Sequence, residues 1–464
     1  MSPLSPGYAH RSRGQFTRSD PRYLSRDACR DLFHRLTALS SGGGDTSVTI
    51  ESVWRGHLRW ALNRITTSGD TIDRSITVTR TIRGATGRAS TNALDDPGLA
   101  FALRTAERHL QLQPERVDTA PPIASLTYLT PTLLYETTLG LTAADRSAVG
   151  QALAEPVRSA DLVSAGYVEV SAHTRAVCNT AGLFAYYAAT RAQYSVTVRS
   201  PQDTASGWSG VDENDWSRID AAAISRRALD KCITSKNAKV IEPGRYTAIL
   251  EPQAVHDLLF PAIQALDRYA AESVRTAYTQ SPGLSKIGQQ LLDSRITVTT
   301  DPMDPGCGYM PFNTEGEAYQ PTTWFRDGVL TELAYDTMYA LAQLGRPLPR
   351  PNPYAYRMSG GEMTLDEMIA STQRGLLVTR LSDVEVIDAT RLSCSGITRD
   401  GVWYIKDGAV QYPVKNFRFT ESPLQAFNNV ESLGVPQRVF ARYPAVVPPV
   451  KVRDFGFTSL ADAI

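Results

Sequence analysis

Apolar positions in the first half of the chain recur with two different periods. Residues 24–39 place Leu24, Cys29, Leu32, Phe33 and Leu36 at helical spacing and stop at Ser40-Ser41-Gly42-Gly43-Gly44, which predicts a helix followed by a linker. A phosphate loop is a poorer reading of those glycines, because no Lys-Ser/Thr pair follows and no strand precedes them. Residues 47–55, 58–66 and 74–83 alternate instead (Val48, Ile50 and Val53; Ile76 and Val78), which predicts three half-buried antiparallel strands joined by short turns. Residues 84–92 continue as a glycine-bearing turn and a further strand. Asp95-Asp96-Pro97 then caps a helix over 98–112 with Leu99, Leu103, Ala106 and Leu110 along one stripe. Beyond the proline-punctuated residues 114–131, helices over 143–154 and 217–235 flank a strand-rich block. Within it, 165–176 and 191–199 pair across the turn Asn179-Thr180-Ala181-Gly182. Strands and helices come in groups, so the class is α+β and not a doubly wound sheet.

The turn Pro243-Gly244, followed by a strand over 246–250 and a long amphipathic helix, marks a boundary. Later turns at Asp301-Pro302, Asp304-Pro305-Gly306 and Arg326-Asp327-Gly328 separate short β-prone runs. Residues 376–381, 385–388 and 402–405 read as strands of a mostly antiparallel, barrel-like domain with helices. The division is therefore a flexible leader and first helix over 1–44, an N-terminal α+β domain with an antiparallel sheet over 45–240, and a β-rich C-terminal domain over 241–464. The stretch 360–380 condenses the second domain: a glycine turn, a short helix capped by Thr364 with Glu367 three residues on, and a strand from Leu376. Gly360 and Gly361 let another main chain come close, and Leu376 and Val378 sit on a strand that can offer an open edge, so these four are the candidate substrate-binding positions. Capping explains Asp366 and Glu367 without catalysis.

Composition narrows the partners. The chain has 464 residues with Lys+Arg 48 and Asp+Glu 48, so no net positive field recruits nucleic acid or an anionic membrane. Five scattered cysteines without a C-x-x-C pair suit a reducing compartment. Residues 1–26 lack the apolar core of a signal peptide, and no window reaches the roughly 18 apolar residues of a membrane span. A soluble cytoplasmic protein is the expectation.

Isolated residues offer little chemistry. Cys394, among small residues on an expected turn, is placed most like a nucleophile, but no base or helix N-terminus in the sequence lowers its pKa, and Cys307 between two glycines is no better supported. No Gly-x-Ser-x-Gly elbow occurs. Trp324, Phe325, Tyr354 and Tyr356 suit either a peptide groove or packing under loops.

Several local pieces in a fixed order resemble the TldD/PmbA family of metallopeptidase-related proteins: Leu58-Arg59-Trp60-Ala61-Leu62-Asn63, the run ending Ala89-Ser90-Thr91-Asn92, Pro243-Gly244, Asp301-Pro302, the 360–380 stretch, Thr398-Arg399-Asp400-Gly401 and Pro413-Val414-Lys415-Asn416. The resemblance implies one of two kinds of chain. One carries HExxxH on the helix after the Pro-Gly strand, with a cysteine near the C-terminus completing a zinc site. The other, TldE/PmbA-like, lacks these and forms with the first a heterodimer enclosing a chamber that cleaves small, unfolded or modified peptides. Here the helix reads His256-Asp257 with Pro261 in place of the second histidine, and 441–455 contains no cysteine. A catalytic zinc needs about three protein ligands, and Asp257 is one methylene shorter than glutamate. The expectation is a non-metal subunit with no cofactor of its own, a zinc-bearing TldD-like partner and a peptide substrate, with His256 a surface or packing residue. Two alternatives remain: a self-sufficient homodimer using Cys394, His256 or an arginine-lined pocket in the same chamber, with Asp257 as a further catalytic candidate, and a scaffold that only stabilises its partner.

Overall fold

The computed structural model describes residues 20–40, 43–115, 122–202, 204–345 and 348–461; most of the expected leader, and Gly42, lie outside these. The three alternating runs expected between 47 and 83 are two long strands, β1 Asp45–Ala61 and β2 Arg64–Ile82. Leu62 and Asn63 take positive φ (49° and 60°) and turn the chain in two residues. Asn63 fastens that turn: its Nδ2 donates to the Leu162 carbonyl at 3.0 Å, and its Oδ1 accepts from the Ser164 N–H at 2.7 Å. With β3 Ala85–Thr91, β4 Val163–Asn179, β5 Phe184–Arg199 and β6 Ser206–Glu213 they form one antiparallel sheet in the order β3-β2-β1-β4-β5-β6.

The pleat sorts the side chains of this sheet. Val48, Ile50, Trp54, Leu58 and Trp60 of β1 lie on the same face as Val168, Val170, Ala172, Ala176 and Cys178 of β4, because the ladder pairs Val48 with Cys178 and Leu58 with Val168. Helices α1 Arg26–Leu39 and α2 Asp96–Gln111 cover one end of that face. After the single turn α3 Glu136–Leu139, helices α4 Ala143–Ser159 and α5 Ala221–Thr234 cover the other. The opposite face, with Glu51, His173, Arg175, Tyr187 and Arg191, is left for the C-terminal half.

That half begins with β7 Gly244–Leu250 and α6 Pro252–Gln264. β7 pairs in parallel with the strand Arg374–Asp388 and antiparallel with Val450–Leu460. The ring closes through Phe417–Glu421 and Ser393–Lys406 back to Arg374–Asp388, a five-strand barrel. The runs expected at 376–381 and 385–388 are therefore one strand. A second, six-stranded sheet contains Val298–Thr300, Thr322–Arg326, Tyr356–Met358 and Ala445–Val447, and one apolar core joins it to the barrel. α6 lies in that core. Ala254, Val255, His256, Leu258, Leu259, Pro261, Ala262 and Ile263 are all buried, so the helix expected to be amphipathic is enclosed on nearly every side.

Two expectations about 360–380 divide. The capping box is present: Thr364 Oγ1 accepts from the Glu367 N–H at 3.2 Å and Glu367 Oε2 accepts from the Thr364 N–H at 2.8 Å. The open edge is not. Leu376 and Val378 are fully buried and lie between β7 and Ser393–Lys406, both hydrogen-bonding edges occupied. The main chain that approaches the glycines is the protein's own, since Gly361 N–H donates to the Gly434 carbonyl at 2.9 Å and a Cβ on Gly360 would lie 2.5 Å from that oxygen. Among the described residues no helix is long and apolar enough to cross a membrane.

Candidate functional site

α6 starts on Pro252, whose missing N–H is no loss in a first turn, and its N-cap Glu251 is paired with Lys231 of α5 at 2.6 Å. One turn on, His256 is 7% exposed and stacks on Tyr356 (ring centroids 5.9 Å apart, planes 18° apart), with its Nδ1 2.8 Å from the Tyr356 hydroxyl. Burial lowers the imidazole pKa to about 4, so it is neutral at physiological pH. Phe260, one turn further, lies 5.4 Å from His256 and 6.1 Å from Tyr443, which in turn lies 5.3 Å from Tyr354. Asp257 leaves the helix on another side: its Oδ2 accepts from the Leu381 N–H at 3.0 Å and its Oδ1 from Gln253 Nε2 at 2.8 Å. Burial pushes its carboxyl up to about 7, against those hydrogen bonds and the positive Arg380.

Beyond Tyr443 the polar face of the first sheet and the second sheet of the C-terminal half enclose a cavity of about 780 Å³, bounded by His173, Arg175 and Arg191 on one wall and Tyr309, Arg442 and Tyr443 on the other. Its fixed point is Asp212, 2% exposed, which accepts from the Arg191 guanidinium on one side and from Arg438 at 3.1 Å on the other. Arg191 also donates to the Ala441 carbonyl at 2.7 Å, tying β5 to the C-terminal half. Burial and the cations Arg191 and Arg55 lower His173 to about 4, leaving it uncharged. A second cavity of about 870 Å³ adjoins the first, and the two share Asn313, Glu315, Pro351, Asn352 and Tyr354, so they form one trough. Tyr354 stands at the junction with φ of 59°, a conformation bulky side chains avoid. Asn352 holds it there, accepting from the Tyr354 N–H at 2.8 Å while its Nδ2 donates to the Ile263 carbonyl of α6 at 2.7 Å.

Comparison with known proteins gives this geometry a family. A sequence profile of the PmbA/TldA metallopeptidase central domain matches residues 137–236, and that of the C-terminal domain matches residues 243–459, together well over half of the chain. The chain belongs to the PmbA/TldD family. A curated protein named metalloprotease from Methanothermobacter thermautotrophicus is 23% identical over 230 residues, and the chain spans about half the length of this relative (49%). Three similar solved structures share the fold. TldE from Thermococcus kodakarensis has a TM-score of 0.80 at 14% identity, covering 92% of this chain and 99% of its own. A candidate modulator of DNA gyrase from Bacteroides thetaiotaomicron gives 0.79 at 18%, covering 94% and 100%. Another from Thermotoga maritima gives 0.77 at 16%, covering 92% and 99%.

In PmbA/TldD terms, α6 is the helix on which a metal-bearing chain would carry HExxxH, and its side chains here do not fit a zinc ion. His256 is stacked and hydrogen-bonded to Tyr356, the Asp257 carboxyl is engaged by Leu381 and Gln253, and buried Pro261 has no donor atom. Among the described residues no three His, Cys, Asp or Glu side chains converge anywhere. The thiols do not replace a metal. Cys394 lies on the barrel strand Ser393–Lys406 and not on the expected turn, buried, with its pKa raised to about 11. Cys307 is buried and raised to about 12, its Sγ 3.2 Å from the Tyr356 carbonyl. Of the aromatic candidates, Trp324, Phe325 and Tyr356 are core residues, and Tyr354 reaches the trough. Sequence reading misses Arg191, Asp212, Arg438 and Arg442, since they come from distant segments and none stands in a motif.

Proposed function

We propose that this chain is the non-metal, TldE/PmbA-like member of a two-chain peptidase, lining the chamber in which a zinc-bearing, HExxxH-containing partner cleaves small, unfolded or modified peptides. The observation that carries this reading is the α6 face. The positions of the metal ligands hold a neutral, stacked His256, a carboxyl engaged on both oxygens and Pro261. The buried thiols at Cys394 and Cys307 offer no replacement nucleophile, which weighs against a self-sufficient homodimer.

Peptide binding falls to the trough. Leu376 and Val378 have no free edge for strand addition, whereas the trough offers tyrosine faces and charged groups to a chain lying in it. The test is purification of the chain alone and together with an HExxxH-bearing relative from the same source, with zinc counted on each and hydrolysis of unstructured peptides measured. The chain alone should hold no stoichiometric zinc and cleave nothing, while the pair cleaves. About one tightly bound zinc on this chain, or cleavage by it alone, would overturn the reading. Full activity of the partner alone would reduce this chain to a scaffold.

A further inference from the structure

The two arms of the trough carry opposite charge. In the arm against the first sheet, Arg175, Arg191, Arg438 and Arg442 face only two lining carboxylates, Asp212 and Glu315. Arg175 is matched by Glu51 at 2.6 Å, and Asp212 is shared by two guanidiniums, with the buried Glu213 carboxyl a further acidic group near Arg438. Arg438 is 7% exposed and its Nε has no hydrogen-bond partner. Arg442 is exposed, lies over the Tyr443 ring at 5.4 Å and has no carboxylate partner among the described residues. An exposed guanidinium with no carboxylate partner among the described residues, and a buried one with an unpaired Nε, both lining a cavity with aromatic walls, make a site for a carboxylate, which the planar arginine fork matches with two parallel hydrogen bonds.

The other arm has the reverse character. Asp267, Glu272, Glu315, Glu317 and Asp336 line it, and none of its lining side chains among the described residues is a lysine, arginine or histidine. Asp267 and Asp336 cap helices and Glu272 meets Arg268 behind the wall, but the summed field remains negative over the faces of Tyr269 and Tyr339. Tyr354, fixed by Asn352 and Tyr443, divides the two.

We propose that the trough is polarised and holds a peptide in one direction, a carboxylate in the arginine arm at Arg442 and Arg438, and the rest of the chain passing over Tyr354 toward the acidic arm, where basic residues are favoured. This rests on the peptide-chamber reading above and adds a substrate class to it: peptides with an anionic end and basic residues upstream. Strand pairing alone would set a direction but no charge preference. A field that changes sign along the trough gives both.

Binding of short labelled Ala/Ser/Leu peptides to the full chain, by fluorescence anisotropy at low salt, tests this. A free C-terminus should bind about tenfold more tightly than the same peptide amidated, as expected for one charge-assisted contact. Arg442→Glu should abolish that difference, Arg442→Lys should keep most of it, and circular dichroism should be unchanged in both. A glutamate placed before the amide distinguishes the two sources of carboxylate. Recovery of affinity means the arm reads any carboxylate, and no recovery means it reads the terminal one. If peptides bind but neither amidation nor Arg442→Glu changes affinity, the polarity is wrong and the chamber reading stands. If no peptide binds in any form, alone or with the partner, the chamber reading falls and the polarity with it.

Discussion

Tyr443 separates two regions built on opposite lines. On one side, the α6 face is closed, with His256 and Tyr356 buried, stacked and mutually hydrogen-bonded, and Phe260 filling the gap toward Tyr443. On the other side the trough stays open and charged, with Arg442 exposed and Arg191 and Arg438 converging on one carboxylate. The His256–Tyr356–Phe260 cluster is filled like any core, where tight aromatic packing is the stabilising choice. A charged cavity is not what stability alone would retain, since well-packed apolar groups would serve at least as well as the Arg–Asp–Arg arrangement. The contrast is what the proposed peptide-binding role of the trough rests on.

Breaking the closed side should show most. Tyr356→Ala empties a fully buried aromatic site and should cost about 3–5 kcal/mol in urea unfolding, and Tyr356→Phe, which only orphans His256 Nδ1, about 1–3 kcal/mol. A loss under about 0.5 kcal/mol for both would mean the stack is loose.

Acid should separate the neighbours on α6. His256 has a folded pKa of about 4 against 6.5 unfolded, so its contribution is complete above about pH 6.5 and lost as pH falls toward 4, roughly 3 kcal/mol in all. Asp257, raised to about 7 from 3.8, runs the other way: its contribution is complete below about pH 3.8 and lost as pH rises through 7. His256→Gln should therefore gain on the wild type steadily between pH 6.5 and 4. Parallel pH profiles would sink the buried, neutral assignment.

The smallest structural effect belongs to the open side. Arg442→Ala should change stability by less than about 0.5 kcal/mol, since the side chain is exposed and meets only the Tyr443 ring. If it destabilises as much as Tyr356→Phe, the trough is packing too and the contrast fails.

The sequence carries the elements better than their partners. Alternation over 165–176 and 191–199 is enough to pair β4 with β5 through the turn after Asn179, because one face of each is buried and register follows from that. The capping box at Thr364 is legible from two residues. β1 and β2 read as three strands because the first half of β2 is exposed on both faces and resembles a loop. α6 reads as amphipathic because Gln253, His256 and Asp257 are polar, and nothing local shows that Phe440, Tyr356 and Leu381 satisfy them inside the protein. The barrel's closure is invisible for the same reason: β7 and Arg374–Asp388 pair in parallel across more than a hundred residues. For the trough, Arg191 and Asp212 belong to one domain and Arg438 and Arg442 to the other, so only the fold assembles them.

The closure of the barrel also sets a timetable. β7 must wait for the strand Val450–Leu460, which pairs with it from Leu250 to Gly244, and about 200 residues separate the two. At the usual pace of translation, about 5–20 residues per second, a nascent chain spends roughly 10–40 seconds with β7 and α6 made and the ring unfinished. The first sheet, complete once β6 has been made, can fold throughout that interval. The surface of α6 that packs on Arg374–Asp388 can be covered once that strand is made, and the rest of its surroundings in the C-terminal core is completed only by the last strands.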